Sequence, residues 1–75
     1  MKVRISRLIV TEAQIERLSG KRIAKHMKEV RAGDDVALEV WMTENDQLLV
    51  RSGSENRFVA CIMAGERFVS VKVGR

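Results

Sequence analysis

The sequence predicts an α+β domain: an N-terminal strand, then one kinked helix or two short helices, packed on an antiparallel sheet of four to five strands. Three observations predict it. Residues 2–6 alternate apolar and polar side chains. A helix-start signal follows at Thr11. From Val36 to the C-terminus most of the chain reads with a period of two, the mark of half-buried strands.

The first strand carries Val3 and Ile5 on one side and Arg4 and Ser6 on the other. Arg7 breaks the alternation, so a bend is expected there. Thr11-Glu12-Ala13-Gln14 fits a capping box, with Thr11 as N-cap and Gln14 at the third helical position. Val10 and Ile15 stand where a hydrophobic staple would join. Glu12 lies in the first turn, where the helix dipole favours a negative charge.

The helix does not run on in one phase. Ile15 and Leu18 define one apolar direction, and Ile23, Met27 and Val30 define another. Ser19-Gly20 lies between them, so the helix is expected to kink or break at Gly20. Gly33 provides its C-terminal stop. Val36, Leu38, Val40 and Met42 then alternate with Ala37, Glu39, Trp41 and Thr43. Glu44-Asn45-Asp46 reads as a turn and Leu48–Arg51 as a short strand. Residues 52–56 read as a loop. Phe58–Met63 is almost continuously apolar and reads as a central strand, with Ala64-Gly65-Glu66-Arg67 as a hairpin connection to a last strand, Phe68–Val73. Short connections favour an antiparallel meander for these four strands.

The chain has 75 residues with 45% apolar content, enough for one small core, and residues 1–75 are read as a single domain. With one cysteine, Cys61, and one histidine, His26, it can build neither a disulfide framework nor a four-ligand zinc site. No metal and no cofactor are expected. Leu8-Ile9-Val10, the longest apolar run near the N-terminus, is too short for a signal-peptide core, and no segment is long enough to span a bilayer. A cytoplasmic protein without membrane contact is expected.

The net charge of +4 is unevenly placed: residues 1–31 hold nine Lys/Arg against three Asp/Glu, whereas residues 32–75 hold five against seven. Arg17, Lys21, Lys25, Lys28 and Arg31 follow at helical spacing. On a continuous helix they share an arc of about 120° that contains no carboxylate. A solvated helix face usually mixes signs, because i,i+4 pairs of opposite charge stabilise and like pairs cost. This stripe points to contact with phosphates or with an acidic protein surface. Trp41 and Phe68 fall on the sheet side opposite the main apolar set, which makes them candidates for an apolar interface.

Catalytic constellations are thin. His26 falls at the edge of an apolar helix face, Cys61 is placed inside a strand, and the acidic pairs Asp34-Asp35 and Glu44/Asp46 sit beside turn residues. No phosphate-binding glycine loop or nucleophile elbow occurs. Neither an enzymatic role nor a small-molecule substrate is inferred. The expectation is a small regulatory or adaptor protein. It would bind a protein partner, or itself as a homodimer, through the apolar sheet face, with the basic helix face docking an acidic surface. The alternative is a nucleic-acid-binding protein, for DNA or RNA, that contacts backbone phosphates through that helix face.

Overall fold

The computed structural model describes residues 1–74. The elements in chain order are β1 (Lys2–Arg4), a 3₁₀ turn (Ile5–Arg7), β2 (Leu8–Ile9), α1 (Glu12–Glu16), α2 (Gly20–Arg31), β3 (Leu38–Met42), β4 (Leu48–Val50), α3 (Glu55–Met63) and β5 (Phe68–Gly74). The α+β class, the N-terminal strand and the pair of short helices are present.

The five strands form one sheet in the order β1-β5-β3-β4-β2. It is mixed rather than antiparallel. β1 with β5 and β3 with β4 run antiparallel, while β3 with β5 and β2 with β4 run parallel. The expected meander fails at one place. Phe58–Met63 is not a central strand but most of helix α3, and α3 carries the chain across the sheet so that β5 returns parallel to β3. Cys61 therefore sits on a helix.

β1 and β2 occupy opposite edges of the sheet, yet only the 3₁₀ turn joins them. A flat sheet would hold its outer strands about 19 Å apart, four spacings of roughly 4.8 Å. The four Cα steps from Arg4 to Leu8 reach at most about 14 Å when extended, and a 3₁₀ turn is shorter still. The sheet must curl to let the chain pass, and the bend expected at Arg7 is this turn. Its first residue is tied down by an N–H bond from Ile5 to the Arg67 carbonyl at 2.9 Å.

One face of the sheet carries Val3, Leu8, Leu38, Val40, Leu48, Val50, Val69 and Val71, all buried. Phe58 and Cys61 of α3 pack into the same cluster, and Val30 of α2 closes on it. Every strand puts alternate residues on this face, as the pleat requires. Val36 is not part of it: β3 begins two residues later, at Leu38, and Val36 is exposed.

The helix ends follow local chemistry. Thr11 Oγ1 accepts the Gln14 N–H, and Gln14 Oε1 accepts the Thr11 N–H at 2.9 Å, the reciprocal pair of a capping box. The same Gln14 side chain donates from Nε2 to the Val50 carbonyl at 2.6 Å, so the cap also docks α1 on β4. Ile15 is exposed, so the core contact of α1 rests on Gln14 instead. The helix break falls at Arg17–Ser19, ahead of Gly20. Ser19 is the N-cap of α2, and Gly20 is its first residue.

α2 and α3 end alike. The Gly33 N–H reaches the Val30 carbonyl and the Asp34 N–H reaches that of Glu29. The Gly65 and Glu66 N–H groups do the same to Ile62 and Cys61. Both are Schellman motifs, and both need the left-handed backbone that glycine adopts without strain: φ is +87° at Gly33 and +81° at Gly65. Ala64-Gly65-Glu66-Arg67 is thus a helix stop rather than a hairpin.

Candidate functional site

The basic residues of α2 occupy its outer face. Lys21, Lys25, Lys28 and Arg31 are turned outward, while Ile23, Met27 and Val30 are turned toward the body of the protein. Twelve residues at 1.5 Å rise give a face roughly 18 Å long. Arg22 is exposed on its flank.

Carboxylates do not neutralise this face. Among the described residues, the ion pairs all converge on Glu29. His26 Nδ1 lies 3.2 Å from Glu29 Oε1, a contact that becomes an ion pair when the imidazole is protonated. Arg57 Nη1 lies 3.3 Å from Glu29 Oε2. The one acid of α2 is thus engaged with His26 and a buried arginine, away from the lysines.

The helix dipole sharpens the contrast. α1 and α3 each place a glutamate in their first turn, Glu12 and Glu55, as the dipole favours. α2 has no acid there and begins with Lys21 and Arg22 after its glycine. Lys28 and Arg31 in its last turn are favourably placed, but the first-turn cations and the like-charge spacing both cost stability.

The expected stripe is divided at one point. Arg17 is the C-cap residue of α1, and its Nε donates to the Ala13 carbonyl at 3.3 Å. It belongs to a separate helix, so the contiguous face comprises Lys21, Lys25, Lys28 and Arg31.

Three consecutive polar residues at the start of α3, Glu55, Asn56 and Arg57, are buried, and the last two hold α2 in place; the sequence pattern reads residues 52–56 as a loop. Glu55 Oε2 accepts the Gly53 N–H at 2.7 Å, which closes the turn before the helix. Asn56 Oδ1 accepts the Ser19 N–H at 2.8 Å, at the N-terminal end of α2. Arg57 donates from Nη1 to Glu29 and from Nη2 to the Asp34 carbonyl at 3.0 Å, at its C-terminal end. Two adjacent residues of α3 therefore grip both ends of the basic helix. Their hydrophilicity reads as loop in sequence; only tertiary packing gives them partners.

Trp41 and Phe68 both lie on the sheet face that the helices leave open, but they do not form one patch. Trp41 is registered with Leu49 on β4 and Gly74 on β5, and Leu49 with Ile9 on β2. Its ring lies against Gly74, where an added Cβ would stand 3.2 Å from Cζ3. Arg51 stacks on the Trp41 ring at 4.5 Å, and Arg4 covers Phe68 at 5.4 Å. Phe68 opens β5 and Gly74 ends it, which separates the two aromatic positions by roughly 20 Å along the strand.

Cys61 is buried, and burial pushes its thiol up from the ordinary value of 9.0. Arg57 opposes the rise, and Glu66 and Asp35 add to it. A thiol held protonated in this way is a poor nucleophile. No helix among the described residues is long and apolar enough to cross a membrane.

No family model matches the sequence, and no curated protein does. Solved structures do match the fold. Sulfiredoxin from Arabidopsis thaliana superposes with a TM-score of 0.78 at 17% identity, over 100% of this chain and 85% of that one. The C-terminally truncated chromosome-partitioning protein ParB from Caulobacter crescentus, in complex with the centromeric parS site, superposes with a TM-score of 0.76 at 15% identity. The match covers all of this chain but 39% of the ParB chain. At these identities the likeness is one of fold: the curled mixed sheet and its helices are shared with both proteins.

Proposed function

We propose that the chain is a non-enzymatic nucleic-acid-binding module that meets backbone phosphates with the outer face of α2. The observation that carries this reading is the unneutralised row Lys21, Lys25, Lys28 and Arg31, set on a helix whose single carboxylate is drawn inward to His26 and Arg57. Lysine ammoniums along one helix face suit phosphate contacts, which position a protein on nucleic acid without reading its sequence. The ParB structure of the same fold, solved with its centromeric DNA site, adds support. Phe58 is buried and Arg51 stacks on Trp41, which leaves Phe68 as the one open aromatic ring among the described residues, so base stacking has little to work with here. Duplex DNA or RNA, bound through its backbone, is the favoured ligand.

Labelled duplex DNA, single-stranded DNA and structured RNA, titrated at low and near-physiological salt, test the reading. Binding that weakens steeply with salt, and that is lost when Lys21, Lys25 and Lys28 are all changed to Glu without loss of helical circular dichroism, supports it. Unchanged affinity in that triple variant sinks it.

A second reading has its own observation. The open sheet face exposes Phe68 at 51% and carries the apolar row Ile9–Leu49–Trp41. Such a face suits a protein partner or a second copy of the chain. Sedimentation equilibrium separates the two: a strict monomer at high concentration removes self-association. Trp41→Ala that changes neither association nor partner affinity removes the face.

A further inference from the structure

β3 and β5, adjacent in the middle of the sheet, pair in parallel. Parallel strands occur mostly where both faces of a sheet are covered. Here α2 and α3 pack on one face, while Phe68 and Ile9 stand exposed on the other. The apolar groups of this open face lie at its two ends. Ile9, Leu49 and Trp41 form one end, and Phe68 forms the other, roughly 20 Å away along β5.

The side chains around and between these ends are mostly cationic. Glu39 is registered with Lys72 on β5. On its other side stands Arg51, whose N–H bonds to the Glu39 carbonyl and whose guanidinium stacks on Trp41. Lys2 is registered with Ser70, and Arg4 with Phe68. Asp35 reaches this face from the segment before β3, where its carboxylate accepts the Ser70 hydroxyl at 2.9 Å. Lys2, Arg4, Arg51 and Lys72 thus outnumber Glu39 and Asp35, and the ion pairs among the described residues include none of them.

This pattern selects among occupants. A second copy of the chain would set the same excess of cations against itself. Nucleic acid would meet the cations, but Ile9 and Leu49 offer no ring on which a base can stack. A protein segment that carries both carboxylates and apolar side chains meets the whole face. Resting on the reading that this face docks a protein, we propose that its partner is an acidic segment in extended conformation, with an apolar side chain at each end and carboxylates between them. One apolar side chain lies against Leu49 and Trp41 and the other against Phe68. The carboxylates pair with Lys72 and Lys2 along the way. In an extended chain alternate residues share a side, so positions i and i+6 face the sheet together about 20 Å apart, which matches the separation of the two apolar ends.

Trp41 is the single tryptophan of the chain, so its emission reports on this face. The probe is a capped peptide, Leu-Ser-Glu-Ser-Glu-Ser-Leu, which sets both leucines and both glutamates on one side. The comparisons are the same peptide with lysines in place of the glutamates, and a short oligothymidylate. A saturable change of Trp41 emission is expected with the acidic peptide, and the lysine peptide should bind about fivefold more weakly or worse. Lys72→Gln and Phe68→Ser, both at exposed positions, should each weaken the acidic peptide about threefold while circular dichroism is unchanged. Equal binding of the two peptides overturns the acidic preference and leaves the face as an apolar protein site. Binding of neither, with emission independent of protein concentration, removes the face as a protein site as well. Saturable binding of the oligothymidylate in place of the peptide overturns the proposal in favour of nucleic acid, and emission that changes with protein concentration alone overturns it in favour of a second copy. Unchanged affinity in both variants also overturns it.

Discussion

Asn56 Oδ1 accepts the backbone N–H of Ser19 at 2.8 Å, a bond between residues 37 positions apart that joins the first turn of α3 to the break between α1 and α2. Ser19 is the N-cap of α2, and its own hydroxyl serves the Arg22 N–H. The bond therefore fixes where the basic helix begins. Asn56→Ala leaves that N–H to whatever solvent can reach it. The expected loss is about 1–3 kcal/mol, read as a lower denaturant midpoint at unchanged m-value. Asn56→Asp keeps an acceptor and should lose less. Equal stability of all three proteins would show that the Ser19 N–H is well served without Asn56.

The division of the basic stripe predicts unequal roles for residues that look equivalent in sequence. Lys25 lies at the middle of the α2 face, whereas Arg17 caps α1 and spends its Nε on the Ala13 carbonyl. Removing one phosphate-neutralising charge should reduce the magnitude of the slope of log K against log salt by about 0.9 for duplex DNA. Lys25→Gln is expected to remove roughly that amount. Arg17→Gln is expected to leave the slope unchanged. An equal fall in both would place the nucleic acid across the α1–α2 break rather than along α2.

Gly65 holds φ at +81° in the helix stop that follows α3, so Gly65→Ala should cost roughly 1–2 kcal/mol, measured by thermal or denaturant unfolding. No atom lies within 4 Å of the added methyl, so the loss isolates the backbone conformation. Gly33→Ala, at the matching position of α2, should cost about the same. No loss at either site would mean that the stop relaxes to another backbone state.

This pair of stops also marks where the fold was and was not legible. Ala32-Gly33-Asp34 was readable as the end of a helix, because an amphipathic pattern led up to it. Ala64-Gly65-Glu66 repeats the same chemistry, small residue, glycine, acid, but the run before it is apolar on both sides. Val59, Ile62 and Met63 are apolar without being fully buried, and they hide the helical spacing of Phe58 and Cys61. Reading the second stop by analogy with the first would have turned the expected strand into α3 and the meander into a mixed sheet. The capping box at Thr11 was legible because its partners are three residues apart. Glu55, Asn56 and Arg57 were not: the partners of Asn56 and Arg57 lie at Ser19, Glu29 and Asp34, distant in sequence. The basic face was legible as a set of residues, and its boundary at Arg17 was not, since the break depends on Ser19 taking the N-cap role.

Cys61 makes stability depend on alkaline pH. Burial, Glu66 and Asp35 outweigh Arg57 and raise the thiol above its ordinary value of 9.0 in the folded chain. The unfolded chain releases the proton near that ordinary value, so between the two pKa values the unfolded state binds fewer protons. Stability must then fall as pH rises past about 9, until the folded thiol also ionises. Below the unfolded value the contribution is constant. The measurement is a difference: denaturant stability of the parent chain minus that of Cys61→Ala at pH 7, 8, 9 and 10. The variant loses a constant amount from the space left by the sulfur. The gap between the two proteins should be constant at pH 7–8 and narrow above pH 9. Alkylation by iodoacetamide at pH 8 should likewise be slower in the folded chain than in urea. A gap that stays constant to pH 10, together with rapid alkylation of the folded chain, would mean that the thiol ionises as readily folded as unfolded, and that burial, Glu66 and Asp35 do not outweigh Arg57.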